Sequence, residues 1–309
     1  MNAAVPAAPN HREAQQEARR GLGYGVAAYG LWGVLPIYFK AIADISAFDI
    51  VAHRVLWSLP FLALLLMITR GWSEVRQAIR RRRTLLLLLA TATLIGVNWL
   101  LYVYAVTNGH ILAASLGYYL NPLANVLLGR FILKERLSWL QWSAIAIAAA
   151  GTLALVGEAL DQLWISLTLC VSFATYVLLR KIALVDSLAG LAIETALLFP
   201  LAVAWLAWAV VMGSPSFGST TPQTALLVLA GVVSTTPLLL FTAAARRLRY
   251  STLGMLQFLA PTLQFLCAVW LYGEHFGRAH AIAFGAIWTA LALYVIALAR
   301  SARGPNPAK

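Results

Sequence analysis

Charge is what this chain has least of. Charged residues make up 11% of it, where an ordinary soluble domain carries about 25%. Acids are the scarcer sign, with 11 Asp and Glu against 23 Lys and Arg. No G-x-x-x-x-G-K-[ST] loop occurs, so no P-loop cradles a nucleotide, and any driving force comes from an ion gradient or a partner. There is no H-E-x-x-H helix and no paired-aspartate motif, and the five histidines are scattered. That speaks against an intramembrane enzyme, which needs a metal set, a carboxylate pair or a nucleophile with its base. No repeated filter and no ring of like charge is evident, which speaks against a channel. The two cysteines, Cys170 and Cys267, lie within apolar runs at no metal-ligand spacing and read as packing residues. No catalytic residue, metal or cofactor is expected.

What is there is apolar: 61% of the residues are hydrophobic. A chain of this size cannot hide that much apolar surface in one aqueous core, so the lipid bilayer is the expected solvent. Ten apolar runs follow one another, at 22–40, 48–69, 84–106, 109–132, 139–157, 162–179, 188–212, 223–245, 251–272 and 279–300. Most reach the ~20 residues that cross a bilayer core, and all are expected to be helices, because lipid leaves free backbone groups unsatisfied. The fold class is therefore an all-α integral membrane protein with ten transmembrane helices. Residues 1–20 are polar and rich in Ala and Pro, and read as a disordered cytoplasmic tail rather than a signal peptide.

The net charge of +12 raises the question of nucleic acid. Placement of the charges answers it. Twenty of the 23 Lys and Arg fall in the two tails and in alternate connections, including the Arg80–Arg83 run, Arg130 to Arg136, Arg180 with Lys181, and Arg246 to Arg249. Lys40 and Arg278 fall in the other connections, and Arg54 lies within a run. The positive-inside rule then puts both termini in the cytoplasm, and no nucleic-acid partner is expected.

The chain also repeats itself. The stretch from Gly96 to Glu135 is an apolar run, a polar turn, a second run with Asn121-Pro122 near its middle, and a closing Glu. Thr235 to Glu274 follows the same plan. Pro122 and Pro261 are 139 apart, as are Glu135 and Glu274, while Pro60 and Pro200 are 140 apart. A repeat of this length indicates duplication. Five spans per half is an odd number, so the halves, 21–158 and 159–300, enter the membrane in opposite directions as two inverted five-helix repeats, with 301–309 a second tail.

Polar and aromatic residues recur at mid-span in six helices: Tyr29 and Trp32; Asn98, Trp99 and Tyr102; Tyr118, Tyr119, Asn121 and Asn125; Ser172, Thr175 and Tyr176; Ser234, Thr235, Thr236 and Pro237; Gln257, Pro261 and Gln264. Buried amides need partners or water. Two readings fit: interhelical hydrogen bonds as glue, or a central cavity between interrupted helices. Six helices at one depth favour the cavity. Its expected substrate-binding residues are Trp32, Arg54, Asn98, Trp99, Tyr102, Tyr118, Asn121, Tyr176, Gln257 and Gln264. Tyr118 is preferred over Tyr119 because it shares a stripe with Asn121 and Asn125. By contrast the fifth and tenth runs are rich in Ala and Gly, which suits close packing or a peripheral place.

Few ionisable groups lie inside spans. Arg54 and Glu194 stand 140 apart, at mirrored depths in the inverted arrangement. Arg54 reads as a carboxylate-attracting group toward the outer mouth or as a side chain snorkelling to headgroups. Glu194 is the expected coupling residue, with a proton as the candidate ion, or else a neutral hydrogen-bonded carboxyl. Asp49 and His53, four apart, are placed to pair. Glu135 and Glu274 close helices where the dipole disfavours a carboxylate, so each is expected to have a cationic partner such as Arg136, Arg130 or Arg278.

The phrases AYGLWGVLPIYFK, HRVLWS, GVNWLLY, ASLGYYLNPL, IET, STTPLL, FTAAARRLRYSTLG and PTLQFLCAVWLYGE together resemble the RarD permeases, of the EamA branch of the drug/metabolite transporter superfamily. The resemblance spans residues 20–300. Lys134-Glu135 departs from the superfamily's generic Gly-Glu, which Gly273-Glu274 keeps. The resemblance implies ten helices in two inverted repeats, a multi-pass bacterial inner-membrane permease, and a family label of chloramphenicol sensitivity or resistance. The expected function is secondary active transport, as an exporter, of small amphipathic metabolites or drugs around a midplane site. The pattern sets no oligomeric state.

Overall fold

The computed structural model describes residues 11–42, 44–107, 111–156, 163–213, 217, 218, 220–271 and 278–302. Among them there is no β-strand. The helices are α1 (His11–Lys40), α2 (Ala47–Ile68), α3 (Trp72–Arg80), α4 (Arg82–Thr107), α5 (Ile111–Phe131), α6 (Trp139–Val156), α7 (Leu163–Ile182), α8 (Ser187–Val211), α9 (Thr221–Arg247), α10 (Tyr250–Leu256), α11 (Leu259–Leu266), continued by a π-helical turn at Cys267–Leu271, and α12 (Arg278–Ala302). Six of the described helices are long and apolar enough to cross a membrane, and α6 and α12 hold shorter apolar stretches.

The distribution of side chains is that of a protein solvated by lipid. Leu153, Val171, Leu201 and Val295 are 60–68% exposed, while Asn98, Asn121, Asn125, Arg180 and Glu194 are buried. Apolar groups face out because lipid accepts them, and polar groups turn in because lipid does not.

Three features differ from the sequence reading. Residues 11–20 are helical and extend α1. Glu17 ties that extension down, bonding Arg20 at 3.0 Å and Arg247 at 2.9 Å. The polar connection after α2 holds a short amphipathic helix, α3, whose Val75 and Ala78 are buried. The ninth run is broken between α10 and α11. Pro261 explains the break: its ring clashes with the carbonyl four residues back, that of Gln257, and it offers no N–H. The chain there adopts tighter bonds, Gln257 N to Gly254 O at 3.1 Å and Phe258 N to Met255 O at 3.3 Å. Pro60, Pro122, Pro200 and Pro237 lie inside unbroken helices.

Packing follows a reciprocal pattern. The pairs α6–α12, α2–α8 and α5–α10 are in contact; α1–α9 is matched by α4–α7, α5–α7 by α1–α11, and α2–α9 by α4–α8. Exchanging α1, α2, α4, α5 and α6 for α7, α8, α9, α10 with α11, and α12 leaves this set unchanged. The Ala- and Gly-rich α6 and α12 pack on each other, Gly151 lying against Ala283 and Ala286. At Gly231 of α9 a Cβ would strike the backbone of Trp57 and Ser58, so only glycine allows α2 and α9 to approach this closely.

Candidate functional site

Five helices meet around one buried cavity. Arg54, Val55 and Ser58 come from α2, Ile95 and Trp99 from α4, Tyr176 from α7, Leu191, Glu194, Thr195 and Leu198 from α8, and Thr235 and Leu238 from α9. The cavity measures about 20 Å³, where one water needs ~10–15 Å³. The helices must therefore part before an organic molecule can enter.

Each charged group here has a definite setting. The Arg54 guanidinium carbon stands over the Trp99 ring, 3.0 Å from its centroid. A cation–π contact of this kind uses none of the guanidinium's N–H donors. Glu194 accepts a hydrogen bond from Thr91 Oγ1 at 2.5 Å and ion-pairs with Arg180 at 3.7 Å. Arg180 also donates from Nη2 to Ser187 O at 3.3 Å. Its guanidinium rests on Gly190, where any Cβ would collide with it. Glu194 Oε2 and the Tyr176 hydroxyl make no hydrogen bond among the described residues. Neutral hydroxyls complete the wall. Thr235 donates to Ser58 Oγ at 2.6 Å, and Ser58 Oγ lies 2.5 Å from Arg54 O and 3.3 Å from Gly231 O.

Of the residues expected to bind substrate, Arg54, Trp99 and Tyr176 line this cavity, together with Glu194. The others sit elsewhere. Trp32 packs against Tyr29 and Phe241, each ring centroid 5.5 Å away. Asn98 joins α4 to α7, donating to Leu169 O and Ser172 Oγ at 2.9 Å each. The Tyr118 hydroxyl lies 3.4 Å from Asn98 Oδ1, and its ring meets Tyr102 edge-on at 5.5 Å. Gln257 accepts from Asn125 Nδ2 at 2.7 Å, and Tyr250 donates to Asn125 Oδ1 at 3.0 Å. Asn121 is fully buried and neither end of its amide has a partner among the described residues. The Gln264 side chain lies outside the described residues, as does Glu274.

Four expectations need correction. Arg180 is not an exposed topology anchor: it is 3% exposed and turned inward to Glu194. Arg54 reaches the same cavity as Glu194 rather than the outer headgroups. Asp49 accepts from Trp205 Nε1 at 2.8 Å, while the His53 ring stacks on Phe217 at 5.2 Å, so these two do not pair. Glu135 takes its main partners from the backbone, accepting from Tyr250 N at 2.6 Å and Ser251 N at 3.0 Å, with Arg249 at 3.9 Å. It caps the start of α10, where the dipole favours an anion. The sequence carried a signal for two residues that the reading missed, the cavity residue Ser58 and the Glu194 partner Arg180. Ser58 is four residues after Arg54, and Arg180 four after Tyr176, which puts each pair on one helix face.

Residues 19–157 match the model of the EamA-like transporter family. The chain is 45% identical over 286 residues to an uncharacterized transporter of Vibrio cholerae, across 91% of this chain and 94% of that one. It is 43% identical over 290 residues to Protein RarD of Escherichia coli K12, across 91% and 95%. A solved crystal structure shares the fold, with a TM-score of 0.70 over 89% of this chain and 97% of that chain at 21% identity.

Proposed function

The chain belongs to the EamA-like transporter family, close to its RarD-type members, and on that footing we propose that it is a secondary active exporter of small amphipathic metabolites or drugs. Access to the cavity lined by Arg54, Trp99, Tyr176 and Glu194 alternates between the two faces of a bacterial inner membrane. The observation that carries this reading is the cavity itself: five helices drawn from both halves of the chain bring two ionisable groups, 140 residues apart, to one small space with a mixed polar and apolar lining. Such a space inside a lipid-solvated bundle is costly unless it is used.

The moving parts in this reading are two inverted five-helix repeats, residues 21–158 and 159–300. The reciprocal contact pattern supports it, since a two-fold exchange of the repeats maps the main helix contacts onto one another. So does the narrowness of the space, which fits a conformation closed around the site. Both termini are cytoplasmic, following the Lys and Arg split. Glu194 carries the coupling proton. Trp32, Tyr102, Tyr118 and Asn121 form the surrounding shell that a widened cavity would meet, and Asn98 and Gln257 hold the helices of that shell together.

The test is flux of chloramphenicol and related amphipathic compounds in proteoliposomes, with and without a pH gradient. Saturable, gradient-dependent flux in vesicles holding the protein is expected. Flux equal to that of empty vesicles, across a panel of amphipathic compounds and in both gradient directions, would reject the reading.

A further inference from the structure

The cavity has a surplus of one positive charge. Glu194 is already compensated, because Arg180 is its ion-pair partner and both side chains are no more than 2% exposed. Arg54 is not. Among the described residues no carboxylate lies within ion-pairing distance of it, and its guanidinium donates no hydrogen bond. The nearest acid on its own helix, Asp49, is held by Trp205 Nε1 at 2.8 Å. What Arg54 has is Trp99, with its ring centroid 3.0 Å from the guanidinium carbon, and the small cavity that both line. An unpaired charge inside a lipid-solvated bundle is costly. The cation–π contact offsets part of that cost and leaves the N–H donors without partners.

We propose that the substrate of this site carries a carboxylate, which docks on the free edge of Arg54 while an aromatic or apolar body packs beside Trp99, Leu198 and Leu238. This rests on the reading that the cavity is the transport site, and it narrows that reading from amphipathic molecules to organic monoanions. One carboxylate brings the trio of Arg54, Arg180 and Glu194 to neutrality. Its two oxygens match the guanidinium fork, giving two charge-assisted hydrogen bonds in place of none. A cationic group on the substrate would meet Arg54 and is disfavoured. The hydroxyls of Ser58 and Thr235 are engaged with each other at 2.6 Å, so they add polarity without adding charge.

The experiment compares three probes with one body: 3-phenylpropionate, 3-phenylpropionamide and 3-phenylpropylammonium. Binding to the purified full-length protein in lipid nanodiscs is measured by equilibrium dialysis. The carboxylate should bind about tenfold or more tightly than the amide, as expected of charge-assisted contacts away from water, and the ammonium most weakly. Arg54→Gln should remove the preference, bringing carboxylate and amide to about equal affinity, and its unfolding midpoint in the same nanodiscs shows that the variant is folded. Arg54→Lys should keep part of it, having charge without the planar fork. Equal binding of carboxylate and amide by the wild type, no saturable binding of the carboxylate, or an undiminished preference in Arg54→Gln would each overturn the proposal. The same probes in the flux assay separate it from the transporter reading. Flux of the amide without carboxylate preference leaves transport standing and removes the carboxylate; Arg54-dependent binding of the carboxylate without flux of any probe does the reverse.

Discussion

Arg180 and Glu194 face each other across 3.7 Å, one from the end of α7 and one from within α8, with side chains 1% and 2% exposed. Neither could be left alone there. Removing one partner of a buried pair exposes the other to the full desolvation penalty, about 3–5 kcal/mol. Arg180→Met and Glu194→Leu should each lower the thermal midpoint of the purified protein strongly. The double variant should recover much of the loss, because a neutral apolar pair needs no compensation. Losses that simply add would show that the two do not interact.

A second variant reaches the same pair through the backbone. The guanidinium lies on Gly190, one turn before Glu194 on α8. Gly190→Ala leaves every charge in place and pushes Arg180 aside. It should reproduce most of the instability of Arg180→Met, in the same unfolding assay. A wild-type midpoint for Gly190→Ala would mean that the pair tolerates displacement and is looser than its geometry indicates.

Coupling is a separate property of Glu194. The groups that face it are Arg180 and Tyr176 of α7 and Thr91 of α4, with Arg54 of α2 and Thr235 of α9 on the same cavity. Among the described residues no other carboxylate lines the space. Glu194→Gln should therefore abolish the pH-gradient dependence of flux, with exchange of substrate at equal pH retained, at matched amounts of reconstituted protein. Gradient-driven flux that survives in Glu194→Gln assigns the coupling proton to another group.

Much of this arrangement is legible in the sequence because it depends on position along a helix. The apolar runs become helices since lipid allows little else, and the shared offset of Arg54 and Glu194 leads both to one cavity. What is not legible depends on contacts between distant segments. Counting Lys and Arg in connections treats Arg180 as a surface charge; only the fold shows that α8 presents Gly190, which leaves room for the side chain to turn inward. Asn98, Asn125 and Gln257 have the composition of a binding site, yet they find one another or a neighbouring backbone, and whether an amide faces a cavity or a helix is decided by rotation about the axis. Glu135 looks misplaced at a helix end until α10 is seen to begin at its carboxylate.

That last contact carries its own prediction. Glu135 satisfies two backbone N–H groups that α10 cannot satisfy itself, at 2.6 and 3.0 Å. Glu135→Ala should cost about 1–2 kcal/mol, in the range of a lost N-cap, read as a lower unfolding midpoint. Glu135→Gln should cost less, since its amide oxygen still accepts. An equal cost for the two would mean that the charge, through Arg249, matters more than the cap.

The final prediction divides the polar residues by what they touch. Trp99 and Tyr176 line the cavity, and the Trp99 ring lies under the Arg54 guanidinium carbon. Asn98 and Gln257 are engaged between helices, to Leu169 O and Ser172 Oγ in one case and to Asn125 in the other. If the cavity is the substrate site, Tyr176→Phe should weaken binding while the protein unfolds near its normal temperature, and Trp99→Ala should weaken binding along with a loss of stability, because it also removes a ring packed on the core and on Arg54. Asn98→Ala and Gln257→Ala should do the opposite, each leaving a buried partner unsatisfied at a cost of about 1–3 kcal/mol, with affinity of the folded fraction unchanged. Asn121, buried with a free amide, is the discriminating case. A shell role around a widened site predicts weaker binding in Asn121→Leu with stability equal or higher, because no bond is lost. Binding and unfolding measured on one preparation of each variant decide the matter. Loss of affinity in Asn98→Ala and Gln257→Ala, with Trp99→Ala unaffected, would move the site from the α2–α8–α9 cavity to the amide layer along α4, α5 and α10.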